Sequence, residues 1–543
     1  MPDSTHAERH PLCDKHYRTM EPCIAPSAPI IPLSSSGISE LARDTGFQKD
    51  LPQGPVTRPF ICLTHALRER RMRTPSPKDL LPSKIGPFSS RPETNPMTNM
   101  TQRLISSVLM TVATLATNVS AQSPQPYPKA VTDRLIHLET PMLPPAKNVV
   151  FRDLDFGSRM VRATDETTNF GTFLRTEGSG QSNAWSMDTK KFYVMGETGQ
   201  VLVHDFDPST MAISFPPKLL PLRSGTFSFI SADLFYGTTN QTPLTITSYA
   251  FSTGVSTPII DTRTCGTNPP LGYGDSVVSD DDVTLSLNDG RISISEGGSE
   301  QGSHMFVIVY DKKLGCRWYN TQTGEIGGQW GQSGNASTSD RYLIRHAYLS
   351  RNGRYVQIIV NWVGFYVWDL ATMNVTPCKY WTDLQCGGYG VVGYKNYING
   401  PAVLDDMQVA TRPLNDLAQI TQLVYPVPDP SNWGQPQHFT WSNVNVKDSV
   451  PVCGSTYSYD GDPNIDQPFA GEIFCVETDG LASTVWRFGH NRATYISPYF
   501  NTQPLGNISR NGRFFLFTSN WDAQLGSESN GTPRSDVWIV KLE

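Results

Sequence analysis

Charge is scarce in this chain: only 17% of its 543 residues are Asp, Glu, Lys or Arg, and the net charge is -6. No broad basic surface can be built from that balance, so binding to nucleic acid through phosphate neutralisation is set aside. Several motifs are absent as well. No CxxC or zinc-ligand spacing occurs, which argues against a structural zinc site. There is no GxSxG elbow, and GDSVVS around Ser276 lacks the further blocks an esterase needs. Glycine-rich phosphate loops are missing too. No segment after the first 121 residues could span a bilayer as a helix.

What is present is turn chemistry and aromatic mass. With 43 Gly, 42 Pro and 10% aromatic residues, the composition is that of many short strands joined by many turns. One large all-β domain can account for the length.

The chain changes character near residue 100. Residues 1–99 are rich in Pro, Ser and Arg without a hydrophobic period and read as a disordered extension or a misassigned start, with translation beginning at Met97 or Met100. Residues 100–121 read as a signal peptide. Arg103 supplies the positive end, Leu104 to Ala116 the apolar run, and Val119-Ser120-Ala121 the small residues before cleavage, so the mature chain should begin at Gln122. A core helix or signal anchor is the alternative. Residues 122–147 read as a linker, and 148–543 as the folded domain of a periplasmic or extracellular protein.

Of nine cysteines, six follow the signal: Cys265, Cys316, Cys378, Cys386, Cys453 and Cys475. An even number suits an oxidising compartment. Cys378 with Cys386, and Cys453 with Cys475, are near enough in sequence to pair across neighbouring strands. Spacing does not fix the connectivity, and free buried thiols are the alternative.

The domain repeats itself. SRNGRYVQIIVNW at Ser350 returns as SRNGRFFLFTSNW at Ser509, and weaker strand-turn-strand units are marked by Ser186, Ser231, Leu287 and Ser442, with one degenerate unit between Ser350 and Ser442. Each opens with an apolar strand, turns at a polar pair such as Asn352-Gly353, and returns on an alternating strand. Seven units of three or four strands predict an all-β propeller of seven four-stranded antiparallel blades. The strand Arg159 to Ala163 is expected to pair with Val537 to Leu542 and close the ring. The repeats resemble those of TolB-type, WD40-like secreted bacterial propellers over about Asn148 to Glu543. That resemblance implies fold more than function, because propellers host enzymes, lectins and scaffolds alike.

In such a blade the Asn-Gly turn lies at the bottom and the loop entering the first strand on top, where function gathers. His346 and His438 stand four residues before their register serine, where Ser182, Phe227 and Leu505 stand in other units; His490 and His304 map to top loops. With Arg345 and Arg492 they could hold a carboxylate or act in proton transfer, or they could pack the channel rim. The group resembled includes oligogalacturonate lyases, where a histidine-held metal and a basic residue act on a uronate; no HxH pair stands here. Trp362, Trp441, Trp521, Tyr495 and Tyr499 could stack on a sugar, with interblade packing the simpler reading of the Asn-Trp pairs. Asp460, Asp462, Asn464 and Asp466 alternate as calcium ligands would, or form a polar loop. No cofactor is required by these motifs, and a divalent metal, calcium or manganese, is the one they could take. The expectation is an exported monomer that binds a glycan or protein at its top face, with a uronate lyase and a structural scaffold as the alternatives.

Overall fold

The computed structural model describes residues 126–543 except 169–173, 177–179, 197–198, 240–243, 267–282, 299–302, 361–362, 380–385, 387–389, 400–408, 425–436, 460–467 and 480–483. The signal segment, Trp362 and the alternating acidic loop Asp460 to Asp466 fall outside the described residues.

The fold is a β-propeller: antiparallel sheets follow one another along the chain and no α-helix lies among the described residues. The unit of Ser350 is the clearest, with strands His346–Leu349, Tyr355–Val360, Gly364–Asp369 and Val375–Lys379 paired in chain order. The degenerate unit forms a sheet too, Val391–Val392, Asn396–Asn399, Val409–Pro413 and Thr421–Val424. The Ser442 unit comprises Gln437–Thr440, Val452–Thr456, Glu472–Val476 and Val485–His490. Two more units share a sheet through the long strand Lys218–Phe227, whose first half borders Gln200–Asp207 and whose second half borders Leu234–Thr238. The last unit consists of Gly506–Ile508, Phe514–Ser519 and Asp536–Lys541, and the early strand Arg159–Arg162 joins it, Met160 opposite Val540.

A local hydrogen-bond circuit explains the repeated serine. Ser350 Oγ donates to Asn352 Oδ1 (2.7 Å) and accepts the Tyr355 amide (2.9 Å). Ser509 does the same with Asn511 and Phe514, Ser286 with Asn288 and Arg291, and Ser186 with Asp188 and Lys191. The hydroxyl thus clamps both sides of the turn. Gly353 and Gly512 follow at φ 71° and 70°, the left-handed backbone that glycine adopts without strain. The structure corrects two register marks. Ser286, not Leu287, opens the third turn, and in the second unit Ser228 rather than Ser231 follows the first strand and donates to Asp289.

Apolar cores lie between units. Val307 and Tyr319 of the Ser286 unit pack with Ala347, Val356 and Trp368 of the next, and Trp185, Phe192 and Phe206 of the first unit pack with Phe514, Leu516 and Ile539 of the last. One unit cannot bury both faces alone, so stability comes from stacking neighbours. Three disulfides add to this: Cys378–Cys386, Cys453–Cys475 across paired strands, and Cys265–Cys316, which joins two units.

The expected linker is instead part of the fold in its described portion. Tyr127 is buried with its ring edge-on to Trp486 and Phe488, Val131 bridges to Arg487, and the Met142 carbonyl accepts the Trp521 indole N–H at 2.8 Å. The physical reason is edge protection: Val485–His490 would otherwise present unpaired backbone.

Candidate functional site

A stretch of four residues ahead of the Ser186 turn sets the geometry of the interior. A side chain on Gly180 would collide with the Phe439 carbonyl. The Gln181 amide side chain grips the Val392 backbone at both ends, Oε1 accepting its N–H (3.1 Å) and Nε2 donating to its carbonyl (3.3 Å), while its own carbonyl accepts from Arg351. Ser182 donates to Val283 O and accepts from Asn507 Nδ2 at 2.6 Å. The Asn183 carbonyl accepts the Phe227 N–H (2.9 Å), its Nδ2 donates to the Phe227 carbonyl (3.4 Å), and its N–H donates to the Thr226 hydroxyl (2.8 Å). Gly180–Asn183 are all buried. The segment therefore touches the first strands, or their turns, of six other units.

At the strand-entry end, His438 sits in Gln437–Thr440. Its Nε2 meets Gln503 Oε1 at 2.8 Å, its ring stacks on Tyr457 with centroids 5.5 Å apart, and Phe500 stands edge-on at 6.1 Å. Burial, against the Gln503 hydrogen bond and aided by the Arg345 charge, pushes His438 down to about 4, so it is neutral near pH 7. The Arg345 influence brings the entry ends of the Ser350 and Ser442 units into one electrostatic neighbourhood. Tyr495 is half-buried and edge-on to Tyr457 at 5.8 Å, and Tyr499 caps the short turn Phe500–Thr502, in which Phe500 is exposed. His346 opens its strand, buried and stacked on Tyr348. His438, Tyr457, Tyr495 and Phe500 thus form an aromatic cluster on which the Arg345 charge acts.

Other expected site residues lie elsewhere. His304 is buried in the Ser286 unit with Nδ1 on Ser295 Oγ at 2.8 Å. His490 and Arg492 belong to the attachment of the N-terminal segment, a correction to their placement at the channel mouth. His490 Nδ1 meets Asp155 Oδ2 (3.1 Å) and Nε2 donates to His137 O (2.9 Å), while Arg492 pairs with Glu139 at 2.7 Å and donates to Thr140 O. Trp441 is also not a ligand platform, because it is buried in a core cluster with its indole N–H on Val450 O. Trp521 is buried, stacked on Trp538 of its own unit at 4.1 Å, and shares a core cluster with Ile473 and Phe488 of the Ser442 unit.

Among the described residues, the one group of three side chains close enough to share a metal is Asp153, Asp155 and His490, with ligand atoms within 4.8 Å of one another. Its ligand atoms are also engaged in hydrogen bonds. Both His490 nitrogens face oxygen acceptors, Asp153 Oδ1 accepts the Asp155 and Phe156 amides, and Asp155 accepts both the Thr140 amide and hydroxyl. The donors are consumed in tying residues 137–155 to the Ser442 unit.

Sequence reasoning missed the turn end. There a cleft of about 620 Å³ is lined by Asp289, Arg291, Lys312, Lys313 and Gly353 among others. Lys312 Nζ lies 2.9 Å from Tyr236 OH and 4.8 Å from its ring centroid. The charged runs NDGR and DKK at adjacent hairpin turns were its sequence signal.

No family model matches this chain, and no curated protein matches it. Among solved structures, it is similar to an oligogalacturonate lyase from Vibrio parahaemolyticus at 12% identity and TM-score 0.46, covering 73% of this chain and 99% of that one. An oligogalacturonate lyase in complex with manganese aligns at 11% identity and TM-score 0.44, over 75% and 99% of the two chains. The Neurospora crassa Pan2 WD40 domain aligns at 11% identity and TM-score 0.38, over 70% and 94%.

Proposed function

We propose that this chain is an exported, monomeric propeller of seven blades closed into a ring, which binds a glycan or a protein segment at its strand-entry mouth. Ring closure is supported by Gly180–Asn183. Four residues span at most about 14 Å, and contacts from so short a segment to six other units are what units arranged around it would give. The pairing of Arg159–Arg162 with Asp536–Lys541 supports the same closure. Export is supported by the three disulfides and by the apolar run Leu104 to Ala116. No helix among the described residues is long and apolar enough to cross a membrane.

The observation that carries the binding reading is the cluster of Tyr457, Tyr495, Phe500 and His438, with the Arg345 charge acting on it. Aromatic faces with a polar tip suit sugar rings or peptide side chains, and a guanidinium suits a carboxylate or carbonyl. Lyase chemistry is less well supported. A base that titrates at about 4 is too weak to take a carbon-bound proton near neutrality, and the three-residue donor cluster includes none of His304, His346 or His438.

The test is a glycan array and a peptide library with the full chain. Arg345→Gln and Tyr495→Ala should each weaken binding about tenfold or more without lowering the melting temperature. Unsaturated uronate product released from pectic polymers, and lost in Arg345→Gln, would replace this reading with the lyase. Partner capture with no glycan or peptide bound would favour the scaffold.

A further inference from the structure

Phe229, Arg351 and Arg510 each follow by one residue the serine that opens a first turn, Ser228, Ser350 and Ser509. The shared register places all three at turns, and both arginines lie over one ring. The Arg351 guanidinium carbon lies 4.5 Å from the Phe229 ring centroid and that of Arg510 lies 5.6 Å from the same centroid.

Neither arginine has a carboxylate partner among the described residues. Arg351 donates to Leu285 O (3.0 Å) and to Gln181 O, and its Nε has no partner. Arg510 donates one bond, to Val444 O at 3.2 Å. Arg351 is 2% exposed. Burial, and then the Arg510 charge, pulls it down to about 9, and burial lowers Arg510 as well. Carbonyl oxygens and one aromatic face satisfy some of the N–H groups but cancel no charge. Two guanidiniums against one ring in a protein of net charge -6 are thus a local excess of positive charge.

We propose that the turn end of the channel is a binding site for a small oxyanion of the phosphate or carboxylate class, which bridges the guanidiniums of Arg351 and Arg510. Arg351 is the fixed arm, held by two backbone carbonyls. Arg510, half-buried and with a single bond, is the arm that closes on the ligand. An oxyanion accepts several N–H bonds at once from planar forks, which a chloride ion or a water molecule cannot match. The site shares no residue with the strand-entry cluster of His438, Tyr457, Tyr495 and Phe500.

The experiment is thermal unfolding and calorimetric titration of the full chain with sodium phosphate and, separately, sodium acetate, each against sodium chloride at matched ionic strength. Phosphate, acetate or both should raise the melting temperature beyond chloride and saturate in the millimolar range; the more effective of the two identifies the ligand class. Arg510→Gln should weaken that oxyanion's effect about tenfold or more and raise the melting temperature in its absence, because repulsion with Arg351 is removed. Arg510→Lys, which keeps the charge and loses the fork, should fall between and serves if the glutamine variant does not fold. Equal stabilisation by chloride and by both oxyanions, or an undiminished oxyanion response in both variants, would overturn the proposal.

Discussion

Gln181 offers the sharpest test of how the interior is held. Its side chain satisfies both the N–H and the C=O of Val392, a fully buried residue on the first strand of its sheet. Gln181→Ala removes both partners at once. Each buried backbone group left without a bond costs about 1–3 kcal/mol, so the pair costs about 2–6 kcal/mol, with water entering the vacated volume pulling the value toward about 3. Unfolding entropy near 2.1 cal/mol/K per residue over roughly 420 residues gives about 0.9 kcal/mol/K, so about 3 kcal/mol lowers the melting temperature by about 3–4 °C. Gln181→Leu keeps the volume and loses the same hydrogen bonds, which separates the polar effect from a cavity. Calorimetry of both variants should show similar losses, and hydrogen exchange should show the Val392 amide losing protection. If both variants melt within about 1 °C of the parent and Val392 exchange is unchanged, the segment is not structural and its reading as an internal crossbar fails.

Other outcomes follow from named contacts. Gly353→Val and Gly512→Val should each cost about 1 kcal/mol or more, because both positions need positive φ, and a Cβ at Gly353 would also press on Arg291 and Ser286 at 3.2 Å; denaturant melts check the cost, and ligand affinity of the folded fraction should not change. Deleting Phe151 to Asp165 should destabilise the domain and produce oligomers in size exclusion, since it uncovers the edge of Asp536–Lys541. A monomer with unaltered melting would refute that. Burial holds His438 and His204 down to about 4 against an ordinary 6.5, so between those values the unfolded chain binds the extra protons and stability must fall as pH drops from about 6.5 toward 4. Glu296, pushed up to about 8 by burial, works in the opposite direction as pH rises from about 4.5 to 8. Melting across pH 4 to 8 should show the acid slope reduced in His438→Gln and the alkaline slope reduced in Glu296→Gln; slopes that do not move would count against both assignments.

The sequence by itself determined the blade. The serine clamp closes on the second and fifth residues after it, Asn352 and Tyr355 from Ser350, and alternation along a strand has a period of two. Both are interactions among near neighbours, so both are written in spacing, and so was the strand that joins Arg159–Arg162 to the last unit, because a unit one strand short names its missing partner. Where the signal was diluted the reading slipped: the weak second and third turns were marked at Ser231 and Leu287 instead of Ser228 and Ser286, since several serines and leucines there fit a pattern that only the strand ends resolve. The interior was not legible. Ser182 and Asn507 are 325 residues apart, and Arg487 and Asp133 are 354 apart. No local period encodes such contacts. Histidines expected on one face took different fates: His438 packs against aromatic rings, while His490, the last residue of Val485–His490, is tied down by Asp155 and His137. Only the tertiary structure decided which histidines were covered, set Gly180–Asn183 against six other units, and brought two arginines of a repeated pentapeptide against one phenylalanine ring. Burial and charge environment are properties of the assembled surface, and the sequence specifies them only through that assembly.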